Sequence, residues 1–261
     1  MDRSFLVKLF GFPITLIHGD PMVLDRWLWL RRRLPRTLNG EKLIDIGCGT
    51  GQFTIGAARR GYTALGLSYD EANQAEAKKR AALCKAETAD FEVVDVRNLD
   101  QRADLIDAFD IAICLETMEH ILNDFKLMRD IARCLRPGGR LLLTTPYYHH
   151  RPMIREGYGP FSKTEDGGHV RRGYSKAMLQ ELCSDAGLVA EEFSFCTGYL
   201  SQKLTGFQWR FTRVNFLLTW LFTLPLRPLI PPLDRPATRL LSWPHFSICL
   251  EAYKPRKDSP T

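Results

Sequence analysis

The chain has 261 residues, 45% of them hydrophobic, and a formal net charge of +6. That size suits one domain with an adequate core and an elaboration, and leaves no need for a second domain. Seven scattered cysteines (Cys48, Cys84, Cys114, Cys134, Cys183, Cys196 and Cys249), with no Cys-x-x-Cys pair, argue against a disulfide framework and a structural zinc site; they point to a reducing compartment, the cytoplasm.

The first 40 residues read as an N-terminal helical cap. Ser4 to Ile14 is apolar but interrupted by Lys8 and Pro13, and it lacks a small-x-small cleavage pattern. It is expected to pack on the domain or contribute to an acceptor pocket rather than act as a signal peptide. Trp27-Leu28-Trp29-Leu30 followed by Arg31-Arg32-Arg33 reads as an amphipathic helix that buries its aromatic face and solvates its arginines. The basic balance invites a nucleic-acid reading, but nothing like an RNA-binding module accompanies the cluster, so no nucleic-acid partner is expected. An anionic membrane surface is an alternative for the same helix.

Leu43-Ile44-Asp45-Ile46-Gly47-Cys48-Gly49-Thr50-Gly51 reads as a buried strand running into a tight turn of alternate glycines, with a helix starting at Gln52. The glycines can take positive φ and let a ligand lie against bare backbone at the N-terminus of that helix. Gly-x-Gly-x-Gly, with an acid two residues upstream, differs from the Gly-x-Gly-x-x-Gly of dinucleotide sites and suits a small ligand with an amino-acid end.

On these residues the chain resembles the class I S-adenosylmethionine-dependent methyltransferases, and the likeness continues for roughly a hundred residues. It implies an α/β fold: a Rossmann-like, seven-stranded, mostly parallel sheet with helices on both faces, over residues 41–261, with a helical insertion before the last strand. It also implies S-adenosyl-L-methionine as cofactor and S-adenosyl-L-homocysteine as product, with Asp45, Gly47, Cys48, Gly49, Gly51 and Gln52 around the methionine portion. A second strand, Tyr62 to Leu67, leads to Ser68 and Tyr69, where most of the family carries an acid for the ribose hydroxyls. Some lipid-modifying members have a hydroxyl residue here and a second contact from an amide on the next helix, a role open to Asn73 or Gln74. Alternatively, Ser68 and Asp70 cap the helix Glu71 to Lys85.

A third strand, Phe91 to Val96, places Asp95 and Val96 where the family meets the adenine amino group and ring; the alternative is a turn aspartate. Phe109 to Glu116 is nearly all apolar, as a central parallel strand should be, and Leu115 is expected at the ligand. Cys114-Leu115-Glu116-Thr117-Met118-Glu119-His120 is similar to methyltransferases acting on quinone precursors and other prenylated or lipidic acceptors. Leu135 to Thr145, with Pro137-Gly138-Gly139, reads as a helix stop, a turn and a fifth strand. A helix over Ser175 to Ala186 and strands over Leu188 to Cys196 and His245 to Tyr253 complete the sheet.

Two insertions carry the remaining information. Residues 146–173 follow the fifth strand and hang over the reacting edge, with Tyr147, Tyr148, His149, His150, Tyr158 and His169, and with Gly157, Gly159, Gly167 and Gly168 letting the segment move as a cover. Residues 197–244 hold the apolar run Phe216 to Leu226 and a proline-rich tail. Eleven residues of helix reach only ~17 Å of the ~30 Å needed to cross a bilayer. That segment is a lid over an apolar acceptor pocket, an interfacial membrane element with Trp209, Trp220 and Trp243 near headgroups, or a core or dimer-contact helix.

Methyl transfer needs an in-line electron-rich atom, exclusion of water and, for a hydroxyl acceptor, a base. His120 and His149 are the candidate bases, each alternatively a stacking or hydrogen-bonding ring. Glu116 and Glu119 could orient one of them, or stabilise a carbocation during carbon methylation. No carboxylate and histidine set shows metal spacing, so no metal is expected. The expected function is O- or C-methylation of a hydrophobic small molecule that is prenylated, polyketide or lipid-like, with peripheral membrane contact open. The alternatives are a methyltransferase-fold binding or membrane-associated protein without turnover, and a nicotinamide-dependent oxidoreductase.

Overall fold

The computed structural model describes residues 4–153 and 159–256. Gly157 and Tyr158, assigned to the moving cover from the sequence, lie outside the described residues.

Three helices come first: α1 (Ser4–Phe10), α2 (Phe12–Ile17) and α3 (Met22–Arg33). α3 buries Trp27 and Trp29 and leaves Arg31 and Arg32 exposed, while Arg33 pairs with Glu251 and Glu192. Trp27 fills the space above Gly56, where an added Cβ would lie 2.4 Å from its ring, and Trp29 Nε1 donates to Ser194 Oγ at 2.9 Å.

The sheet contains β1 (Lys42–Ile46), β2 (Thr63–Ser68), β3 (Ala89–Val93), β4 (Phe109–Leu115), β5 (Leu135–Pro146), β6 (Val189–Cys196) and β7 (Ser247–Tyr253). Their order is β3-β2-β1-β4-β5-β7-β6, with β1 to β5 parallel and β7 antiparallel to both β5 and β6. This is the seven-stranded, mostly parallel sheet that the resemblance implied. Helices α4 (Gln52–Ala58), α5 (Glu71–Leu83), α6 (Asp124–Cys134) and α7 (Lys176–Asp185) connect the strands.

Strand alternation divides the core between the two faces. Ile44, Ile46, Ala112, Cys114, Leu141 and Leu143 join Leu127 and Ile131 of α6 and Leu179 and Leu182 of α7. Leu43, Ile111, Ile113 and Leu142 join Trp27 and Leu30 of α3, Ile55 of α4 and Ala77 of α5. Each fully buried Leu or Ile contributes roughly 1.5–3 kcal/mol, which is why a strand as apolar as β4 lies in the middle of the sheet. All seven cysteines are buried as free thiols.

Three boundaries differ from expectation, for local reasons. β3 ends at Val93 rather than Val96, because the Asp95 carboxylate accepts from the Arg97 N–H at 3.0 Å and starts a 3-10 turn over Val96–Gln101. α5 ends at Leu83 rather than Lys85, which takes a left-handed φ of 53°. In β5 the pairing with β4 shifts from Phe109↔Leu135 to Ile111↔Arg140, so Arg136-Pro137-Gly138-Gly139 bulges from the ladder where proline lacks a donor.

The insertion before β7 folds as α8 (Tyr199–Thr212), α9 (Phe216–Thr223), a 3-10 turn over Leu224–Leu226, and α10 (Ile230–Leu240). Asp234 of α10 pins it to the domain by accepting from the Gly198, Leu200 and Ser201 N–H groups at the start of α8 (2.6, 2.6 and 3.2 Å). Among the described residues no single helix is long and apolar enough to cross a membrane.

Candidate functional site

Strand order reverses between β1 and β4, and an open α/β sheet forms its crevice beyond the carboxyl ends at such a point. A cavity of about 430 Å³ lies there. Gly47, Gly49, Ser68, Tyr69, Asn73, Asp95, Val96, Glu116 and His120, all singled out from the sequence, line it.

The three cradle glycines have positive φ (80°, 54° and 77°) but different surroundings. A Cβ on Gly47 would meet Thr117 Oγ1 at 2.4 Å, and one on Gly51 would meet Phe91 Cε1 at 2.6 Å, so these two are required by packing. A Cβ on Gly49 meets nothing within 4 Å: of the three, it alone leaves bare backbone facing open space.

Five residues expected at the ligand do not line the cavity. Asp45 points down, buried, and accepts from Thr54 Oγ1 at 2.6 Å; burial pushes its carboxyl up to about 7. Cys48 is buried and accepts from Gln74 Nε2 at 3.4 Å; Gln74 is buried with it and does not line the cavity, whereas Asn73 does. Gly51 is packed under Phe91, Gln52 Oε1 accepts from Thr50 Oγ1 at 3.2 Å, and Leu115 is buried at the end of β4. Asp70 caps α5 by accepting from the Asn73 N–H at 2.8 Å, as the capping alternative held.

Asp95 is gripped by Arg97, whose Nε lies 2.8 and 2.9 Å from its two oxygens, and this holds its carboxyl below the ordinary range. Arg97 Nη1 reaches across to Glu165 Oε2 at 2.7 Å, and Glu165 Oε1 accepts from the Leu122 N–H at 2.6 Å. The segment after β5 is therefore tied over the crevice. It is held again where His120 Nδ1 donates to Gly168 O at 3.0 Å and the Val170 N–H donates to Glu119 O at 2.9 Å.

Beyond this segment lies a second cavity of about 530 Å³, lined mostly by apolar groups, among them Met153, Phe161, Trp209 and Phe246, with His150, His169 and Arg172 as polar points. The two cavities share Asp166 and meet at His120 and His169, whose rings stand edge-on with centroids 4.8 Å apart. Glu119 is buried below them and donates nothing to the surface: Thr145 Oγ1 donates to its Oε2 at 3.1 Å, and burial, then the neighbouring Glu116, raises its carboxyl well above the ordinary value. The ligand atoms of Glu119, His120 and His169 lie within 4.8 Å of one another, a set that could hold a cation and that sequence spacing did not reveal.

His149 is placed elsewhere: it is exposed, lines neither cavity and stands edge-on to Tyr147 and Tyr148. The tight turn after β5 sends adjacent side chains to opposite sides, so His150 takes the inward position. Glu116 lines the crevice yet is held structurally, accepting from Thr144 Oγ1 at 2.9 Å and Ser247 Oγ at 3.0 Å and pairing with Arg26 Nη2 at 3.1 Å. α9 does not lie over the second cavity as a lid; α8, through Trp209, contributes its wall.

The methyltransferase domain family matches residues 25–192, more than half of the chain. A ubiquinone biosynthesis O-methyltransferase of Dechloromonas aromatica is 29% identical over 126 residues, 48% of this chain and 51% of that protein. The chain thus spans about half the length of the curated relatives it matches. Two solved structures share the fold: a [4+2]-cyclase, SpnF (TM-score 0.61, 20% identity, 90% of this chain and 82% of that one), and a geranyl diphosphate C-methyltransferase of Streptomyces coelicolor in complex with Mg2+, geranyl diphosphate and S-adenosyl-L-homocysteine (TM-score 0.57, 18% identity, 87% and 76%). Crevice, bare glycine and family match agree: the chain belongs to the methyltransferase domain family.

Proposed function

We propose that this protein transfers a methyl group from S-adenosyl-L-methionine to a hydrophobic small molecule, at oxygen or carbon. The observation that carries the reading is the pair of cavities meeting at His120 and His169, one floored by the bare backbone of Gly49 and the other mostly apolar. Both volumes fall in the ~300–1,000 Å³ range of small-molecule sites.

The fit to the cofactor rests on this chain's own groups. Gly49 would leave room for the amino-acid end, Ser68 and Asn73 would hold the ribose, and Asp95 with Val96 would meet the base; all five line the one cavity. The bound cofactor supplies an electrophilic methyl that carries its own leaving group. For a hydroxyl acceptor, the imidazole of His120 or His169 takes the proton as the new carbon–oxygen bond forms. The segment held by Glu165 and Gly168 keeps water from that junction. For a carbon acceptor, Glu116 would face the positive charge developed on it. No step draws on a metal. An acceptor of this apolar kind also fits a protein that works against a membrane surface.

The reading is tested by incubating the purified protein with S-adenosyl-L-methionine and a lipid extract, then following S-adenosyl-L-homocysteine and products heavier by one methylene. Both should appear together and vanish in Gly49→Leu. Release of homocysteine product without a methylated acceptor in any extract would count against an apolar acceptor. Absence of both would count against methyl transfer.

A further inference from the structure

The chain's apolar and polar faces are exchanged on α9. Its buried side chains are Thr219 and Thr223, whereas Phe216, Leu217, Leu218, Leu221 and Phe222 are more than half exposed, and Val214 just before it is 81% exposed. Trp220 Nε1 donates to His18 O at 3.0 Å, which fixes the helix in this orientation. A water-facing surface of this kind calls for an apolar partner.

Charge selects the partner. From Phe193 to Leu233 the sequence contains no acid, and the only acid of residues 197–244, Asp234, is buried. The exposed ionised groups of the insertion are Lys203, Arg210, Arg213, Arg235 and Arg239. A second copy of the chain would set these cations against their like, whereas a layer of phosphates complements them. Beside the apolar face runs a groove of about 440 Å³ containing Arg151, Lys203 and Arg210 with no acidic lining. Its floor is aromatic: Arg151 and Lys203 sit 4.3 and 4.4 Å over the Trp243 ring, and Phe207 links the groove to Phe222 of α9 at 5.5 Å. Pro152 and Met153 line both this groove and the apolar cavity behind His169.

We propose that α8 and α9 form an interfacial docking surface for an anionic phospholipid bilayer. The α9 apolar face enters the acyl boundary, and the Arg151, Lys203 and Arg210 groove takes headgroup phosphate. α9 and α10 lie across one another at 82°, with α10 tied down through Asp234, a shape for resting in one leaflet. The inference deepens the apolar-acceptor reading by giving such an acceptor a route from the bilayer past Met153, and its test does not require methyl transfer.

The full chain is sedimented with vesicles of phosphatidylcholine alone and of phosphatidylcholine containing one-third phosphatidylglycerol. Binding should be confined largely to the anionic vesicles and weaken with salt. Leu217→Glu with Leu221→Glu should abolish it, and Lys203→Glu with Arg210→Glu should weaken it at least about tenfold. Calorimetric binding of S-adenosyl-L-homocysteine should be unchanged in both variants, which separates loss of docking from loss of fold or of the methyltransferase reading. Free inorganic phosphate competing as well as anionic vesicles would mean an anion groove without docking and would overturn the proposal. So would absence of vesicle binding by the intact chain, or a dimer by light scattering that the Leu217→Glu, Leu221→Glu variant dissolves.

Discussion

Arg26 Nη2 of α3 lies 3.1 Å from Glu116 Oε2, so the N-terminal helices are joined to the crevice by a buried ion pair. Both side chains are largely withdrawn from water, and Glu116 sits in a left-handed conformation at φ 54° where β4 ends. Arg26→Ala removes the cation and strands the carboxylate. It should cost about 3–5 kcal/mol in urea unfolding, the range for breaking a buried pair from one side. A loss below about 1 kcal/mol would show that water reaches Glu116.

The middle and last glycines of the cradle, Gly49 and Gly51, should separate under substitution. Gly51→Ala drives a Cβ into Phe91 and Ala77, so it should lower the melting temperature sharply. Gly49→Ala meets no atom of the protein, and its cost to the fold should be limited to about 1–2 kcal/mol of left-handed strain. Its affinity for S-adenosyl-L-homocysteine should nevertheless fall at least about tenfold. Equal affinities for Gly49→Ala and wild type would remove Gly49 from the cofactor floor.

Asp45 should write a pH dependence into stability. Burial raises its carboxyl from 3.8 to about 7, so the unfolded chain releases this proton first and the folded state loses stability as pH rises from about 4 to about 7. Asp45→Asn removes that loss. Its stability relative to wild type should rise by about 2 kcal/mol or more between pH 5 and pH 8 in urea unfolding. No change with pH would place an ionised Asp45 in the native state.

Glu119, His120 and His169 could coordinate a cation, whereas the proposed chemistry uses the histidines for a proton. Activity should survive exhaustive dialysis against EDTA, and His120→Ala with His169→Ala should lose about 10²-fold or more in kcat, as loss of a general base does. Activity lost to EDTA and restored by Mg2+ or Zn2+ would reassign the three residues to a metal.

The glycine cradle was legible because everything that defines it, an apolar strand, a turn and a helix start, lies within ten consecutive positions. Asp45 and Cys48, expected around the methionine portion, are buried beneath the turn and do not line the cavity. The strand's alternation ends at the turn, where Gly47, Gly49 and Gly51 all take positive φ, so spacing alone does not say which residue faces the crevice. His169 was placed over the reacting edge with its insertion, but its meeting with His120, and Glu165 altogether, were not legible, because contacts far along the chain bring them there: Val170 to Glu119, and Arg97 across to Glu165. The apolar run Phe216 to Leu226 was plain, but its inverted orientation was not. Composition records that α9 is apolar, and only the packing of Thr219 and Thr223 shows which way it faces.

The central claim is that the backbone at Gly49 floors a site for the sulfonium donor, and calorimetry of the wild-type protein with S-adenosyl-L-homocysteine tests it directly. A roughly micromolar Kd, abolished in a folded Gly49→Leu variant, is the predicted result. No measurable heat in the wild type, or equal binding by the variant, would contradict it.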